Sequence, residues 1–237
     1  MKKVLILSAD TPHHGYFINT LYEKGVVNSP CIFETTHVTA PFTTGPFLEE
    51  EQRAFEREHF FQTVPFELLP EVVMVENINE ADSIDKIKAI APDFAVSFGV
   101  RKILPQVVGL FGDGIINVHR GIAQQYRGLD SDLWAIYHRD YENTGVTIHC
   151  VAPELDTGEI VFQQCLTLKQ NMQIHHLCYY STVIATELVA KALKDYHSGC
   201  LKTFPQEKLG RYYSFMPLDL KHQMAKRFNT YCETLNG

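Results

Sequence analysis

Apolar positions along this chain fall into short unbroken runs, separated by stretches whose apolar residues recur at helical spacing. Val4–Ser8 begins as a continuous run, and residues 94–98 (closed by Gly99) and 114–118 repeat the pattern. A strand that is apolar on both faces is buried on both, as in a parallel sheet. Residues 72–75 read as a further short strand, 145–151 as an alternating one and 160–166 as the last. Between them the spacing predicts helices. Residues 17–24 form one, stopped by Gly25, and the densely charged 49–59 form an exposed one. Residues 82–91 (ended by Pro92) and 130–139 follow. Residues 173–196 carry Ile174, Leu177, Ile184, Leu188 and Ala192 on one face, with Gly199 as terminator. Strands alternating with helices predict an α/β fold, a Rossmann-like and largely parallel sheet flanked by helices. Such sheets take ligands beyond the carboxyl ends of their strands. From Leu201 the pattern changes, so one domain is expected over residues 1–200 and a short C-terminal appendage over 201–237, with a helix over 219–234.

Composition narrows this picture without redirecting it. At 237 residues, 45% hydrophobic and 21% charged, the chain has enough apolar matter for a stable core without cross-links. The net charge of −7 argues against a general nucleic-acid binder, which needs a basic surplus to neutralise phosphates. The six cysteines are scattered, with no C-x-x-C pair, and read as reduced thiols of a cytoplasmic protein. Met1-Lys2-Lys3 before Val4 resembles the start of a signal peptide, but the apolar run stops too early for one. No segment is long enough to span a membrane. The dinucleotide, P-loop and nucleophile-elbow glycine motifs are all missing. The adjacent pairs His13-His14 and His175-His176 diverge on any regular element, so no metal site is expected from either.

The candidate chemistry sits at the end of the third buried run. In a strand, residues two apart point to one side, so Asn117 and His119 project together at a carboxyl end. An amide donor beside an imidazole can stabilise an oxyanion. Asp156, in the loop Glu154-Leu155-Asp156-Thr157-Gly158, can reach back to that strand end. Asp, His and Asn together can take a proton, donate one and hold developing negative charge. In isolation each feature is equally a polar strand end or an ordinary turn.

Five blocks in order change that balance: Asn117-Val118-His119, Tyr126-Arg127-Gly128, Trp134-Ala135-Ile136, the run from Thr144 to His149, and the run from Leu155 to Ile160. Together with Pro92-Asp93-Phe94 and Ile103-Leu104-Pro105, they resemble the formyltransferase family. That family includes enzymes acting on methionyl-tRNA, on glycinamide ribonucleotide and on amino sugars. The resemblance implies direct transfer of a formyl group from N10-formyltetrahydrofolate, a co-substrate, to a primary amine. It gives Asn117, His119 and Asp156 the catalytic roles. It places the folate against Gly99, Val100, Arg101, Lys102, Ile103 and Leu104, and against Val151, Ala152 and Leu155. Asp10, His13, His14, Gln124 and Tyr126 are the expected acceptor contacts, and no metal is implied. The chain departs from the family pattern after the histidine, where Arg120-Gly121-Ile122-Ala123-Gln124-Gln125 replaces a Pro- or Gly-Ser-Leu-Leu-Pro stretch. The loop after the first strand lacks the Gly- and Asn-rich phosphate site expected for glycinamide ribonucleotide. About 30 residues after Gly210 are too few for the barrel expected of a tRNA-directed enzyme. A nucleotide-linked amino sugar is the acceptor that remains, with no nucleic-acid or membrane partner. Hydrolysis of the formyl-folate and non-catalytic folate binding stay as alternatives, and the sequence leaves open whether the chain is a monomer or a homodimer.

Overall fold

A computed structural model describes residues 2–61 and 70–235; Met1 of the amino-terminal lead lies outside them. Seven strands form one sheet in the order β3-β2-β1-β4-β5-β7-β8. These are β1 (Val4–Ser8), β2 (Cys31–Glu34), β3 (Val72–Val75), β4 (Phe94–Ser97), β5 (Ile115–His119), β7 (Gly145–Cys150) and β8 (Ile160–Cys165). β1 to β5 pair in parallel, whereas β7 and β8 join antiparallel. The sheet is therefore largely parallel, as the continuous apolar runs require. All five residues of β1 are buried.

Helices cover both faces. On one, Phe17 and Leu21 of α1 (Pro12–Glu23) and Ala185, Val189 and Leu193 of α6 (Leu177–His197) pack on Val4, Ile6, Val96, Ile116 and Ile148. On the other, Ile87 of α3 (Ala81–Ile90) and Val107 of the single turn α4 (Pro105–Val108) pack on Leu5, Leu7, Ala95 and Ile115. Each such buried side chain contributes roughly 1.5–3 kcal/mol. A third cluster joins α5 (Ser131–Tyr137) to α7 (Leu218–Glu233) through Ile136, Leu177, Met224 and Phe228.

Several elements differ from the periodicity. α1 starts at Pro12 rather than residue 17: Thr11 is extended, its hydroxyl accepts from the His14 N–H, and proline suits the first helical turn. β2, whose three apolar residues end in Glu34, did not register as a strand, nor did the three-residue β6 (Tyr126–Gly128) and β9 (Arg211–Tyr213), which pair in parallel in a second sheet. A 3-10 turn, Ile174–His176, precedes α6. α2 (Glu49–Phe60) forms where charge density predicts an exposed helix, yet it buries Glu56 completely.

Candidate active site

The parallel pairing of β4 and β5 sets Ser97 beside Asn117, and the antiparallel pairing of β5 and β7 sets His149 beside Asn117 on the other side. The Asn117 amide is thereby held at both ends. Its oxygen accepts from the Ser97 hydroxyl at 2.7 Å, and its nitrogen lies 3.2 Å from His149 Nε2. His119, two residues on and buried, donates from Nε2 to the Tyr126 carbonyl at 2.9 Å. Its Nδ1 then faces Asp156 Oδ2 at 3.4 Å.

Asp156 has φ of +56°, a left-handed conformation that turns its carboxylate back to the strand ends. Oδ2 accepts from the Gly128 N–H at 2.7 Å, and Oδ1 lies 3.2 Å from His149 Nε2. The C-terminal segment fixes this loop, because Gln206 Nε2 donates to the carbonyls of both Asp156 and Gly158 at 2.9 Å. Arg127 bridges the carbonyls of Leu155 and Gly210.

The electrostatics follow from burial and from these partners. Burial pushes the Asp156 carboxyl up. The charges at His119 and His149 and the Gly128 N–H outweigh it and hold the pKa at about 2, so Asp156 is a carboxylate. Burial lowers the His119 pKa, and the Asp156 charge opposes that pull. His149 Nδ1 donates to its neighbour's carbonyl, Cys150 O, at 2.9 Å. Both imidazoles therefore spend one N–H on backbone and present a bare nitrogen to Asp156 when neutral. A proton on His119 Nδ1 would point at Asp156 Oδ2, and one on His149 Nε2 at Oδ1, so the carboxylate can steady a proton on either ring.

These groups line one wall of a cavity of about 440 Å³, within the range of small-molecule sites. Gly99, Val100, Arg101, Lys102 and Ile103, with Val151, Ala152 and Leu155, form a further part of its wall. Leu104, expected with them, is turned outward and 37% exposed. Arg101 anchors this wall: its Nε and backbone N–H both bond the buried Glu34 carboxylate, at 2.6 and 2.9 Å. Glu34 also accepts from the Ile78 N–H at 2.8 Å. Glu34→Ala should destabilise the fold by about 3 kcal/mol, since it strands a partly buried guanidinium and two backbone donors. Urea unfolding checks this; a loss too small to resolve would refute the anchoring.

None of the five expected acceptor contacts lines this cavity. Asp10 is exposed. Gln124 accepts from the Glu207 N–H, and the Tyr126 hydroxyl donates to Asp140. His14 is buried against Phe98, and its pKa is driven well below the usual value by burial and by the charges of His13 and Arg120. His13 turns away toward Glu56. Sequence reasoning passed over Ser97, His149, Tyr212 and Phe215, which do line it. His149 stood in a quoted block without a role. Only its register opposite Asn117 gives it one.

The strand-end Asn and His, the returning Asp loop and the sheet order together define an α/β fold with a polar site at its strand ends. The family model described as formyl transferase matches residues 42–184, more than half of the chain, and the chain belongs to that family. A methionyl-tRNA formyltransferase of Azobacteroides pseudotrichonymphae is 32% identical over 137 residues, which is 56% of this chain and 41% of the relative. The chain matches about two fifths of the length of such curated relatives. Among solved structures, a sugar N-formyltransferase of a Shewanella species is similar with a TM-score of 0.63 at 16% identity, covering 90% of this chain and 77% of that one. A formyltransferase of Anoxybacillus kamchatkensis, solved with UDP-4,6-dideoxy-4-formamido-L-AltNAc and tetrahydrofolate, has a TM-score of 0.53 at 23% identity, covering 90% and 85%. At these identities the likeness is one of fold.

Proposed function

We propose that this chain transfers the formyl group of N10-formyltetrahydrofolate to a primary amine, with a nucleotide-linked amino sugar as acceptor. The observation that carries the reading is the convergence of Asn117, His119 and Asp156 on one cavity. The cavity side formed by residues 99–103 and 151–155 would hold the pterin, with apolar faces from Val100, Ile103 and Val151 and backbone groups for its polar edge.

The chemistry then needs only these side chains. The acceptor nitrogen attacks the formyl carbon, and the carbonyl oxygen gains negative charge. Asn117 spends one amide hydrogen toward His149, leaving a second for that oxygen. The proton held in the His119–Asp156–His149 cluster steadies the same charge. The bond from the formyl carbon to N10 breaks, the amine loses a proton to the cluster, and the departing N10 gains one. The products are a formamide and tetrahydrofolate.

The acidic net charge counts against tRNA; support for a sugar comes from the similarity in fold to sugar N-formyltransferases and from Tyr212 and Phe215 in the cavity lining. Aromatic faces suit a sugar ring or a base. The test is a panel of nucleotide-linked amino sugars, glycinamide ribonucleotide and charged initiator tRNA, with formyl-folate as donor. Formylation of a sugar amine is expected. Turnover on tRNA or glycinamide ribonucleotide alone would overturn the acceptor, and formate release without any amine would make the chain a hydrolase.

A further inference from the structure

α2 presents an unusual contact to the rest of the protein. Among the described residues, its buried side chain is a carboxylate, Glu56, with none of its surface exposed. A carboxylate removed from water needs a cation or a full set of donors. Beside it lie His13, from the first turn of α1, and Cys178, from the first turn of α6. A ring nitrogen of His13, a carboxylate oxygen of Glu56 and Sγ of Cys178 all fall within 4.8 Å of one another. His13 Nδ1 is 3.1 Å from Glu56 Oε2. Nitrogen and oxygen ligands of one tetrahedral zinc stand roughly 3.3 Å apart, given bond lengths near 2.0–2.1 Å.

Glu56 and Cys178 are each backed by an outer partner on the side away from the cluster. Gln52 donates to Glu56 Oε1 at 2.8 Å, leaving Oε2. Thr11 Oγ1 lies 3.2 Å from both ring nitrogens of His13, of which Nδ1 is the one that faces Glu56. Arg120 Nη1 donates to Cys178 Sγ at 2.7 Å, occupying one lone pair of the sulfur. Oriented ligands with their far sides hydrogen-bonded are the pattern of a built metal site. Charge agrees as well. A thiolate and a carboxylate neutralise a divalent ion, and Arg120 is faced by Asp132 and Asp130.

We infer that His13, Glu56 and Cys178 bind a zinc ion that fastens α2 to the amino-terminal turns of α1 and α6. A mixed sulfur, nitrogen and oxygen set favours zinc over the hard cations, and three protein ligands leave a fourth position for water. As a metal ligand, His13 was weighed in the sequence only with its neighbour His14. The fold separates that pair and supplies two distant partners instead.

The test is metal analysis of the full chain purified from zinc-supplemented medium, together with cobalt(II) titration of chelator-treated protein. About one zinc per chain is expected, with a thiolate-to-cobalt charge-transfer band on titration. Cys178→Ser should abolish that band, and Glu56→Gln should weaken cobalt affinity by more than about 100-fold. Gln52→Ala, which removes only an outer partner, should weaken it about 10-fold. If a ligand variant fails to fold, the wild-type titration still decides. Wild-type protein that retains no zinc and gives no thiolate band overturns the inference.

Discussion

Replacing His119 by alanine, or Asp156 by asparagine, is expected to lower formyl transfer by about 10²–10⁴-fold, the range spanned by loss of one oxyanion donor or one general acid–base group. The two changes act on different parts of one cluster. His119→Ala removes the ring that faces Asp156 Oδ2 at 3.4 Å and leaves the Tyr126 carbonyl without its donor. Asp156→Asn keeps the size and an oxygen for the Gly128 N–H, but removes the charge that steadies a proton on either ring. Its defect should therefore be nearly all in turnover. Single-turnover rates with formyl-folate and an accepted amine, alongside circular dichroism and thermal melts, separate chemistry from folding. Wild-type rates in either folded variant would sink the assignment of these residues.

The second large effect is structural. A Cβ added at Gly158 would lie 1.8 Å from the Cys150 carbonyl oxygen and 2.7 Å from its carbon. Both are backbone atoms at the end of β7, so no flexible side chain can give way. The clash falls where the Cys150 N–H bonds the Glu159 carbonyl at 2.8 Å, the contact that closes β7 onto the start of β8. Gly158→Ala is expected to cost about 3 kcal/mol, as overpacking against fixed neighbours does at its upper end. Because Asp156 is two residues upstream, the same shift displaces the carboxylate. Misplacement of a reacting group by about 1 Å can cost roughly 10²-fold in rate. Gly112→Ala is the matched control, since a Cβ there meets nothing within 4 Å, and should stay within about 0.5 kcal/mol of wild type. Equal urea midpoints for the two variants would refute the steric reading.

How legible each feature was in the sequence follows from the range of the interaction that makes it. Buried strands such as β1, β4 and β5 announce themselves because burial on both faces demands an uninterrupted apolar run. The long α6 does so because its buried stripe repeats at helical spacing. β6 and β9, of three residues each, and β2, with only three apolar residues before Glu34, carry no measurable pattern. They form because the backbone already lying beside them supplies their hydrogen bonds. The start of α1 was legible in principle from Thr11 and Pro12, a cap followed by a proline, although apolar spacing alone began the helix later.

The sequence by itself determined the α/β class, the order of the main elements, and the pairing of Asn117 with His119, because period-2 geometry within one strand is a local fact. It also pointed to Asp156, through the family resemblance that the blocks around it carry. Only the tertiary structure brought His149 to Asn117 and Asp156, since antiparallel register between β5 and β7 is decided by which faces of distant strands are buried together. The same holds for Gln206 on the Asp156 loop, for Tyr212 and Phe215 at the cavity, and for Glu56 and Cys178 beside His13. Each of these contacts joins residues far apart in the chain, and no local period records which ones chain folding will place within reach.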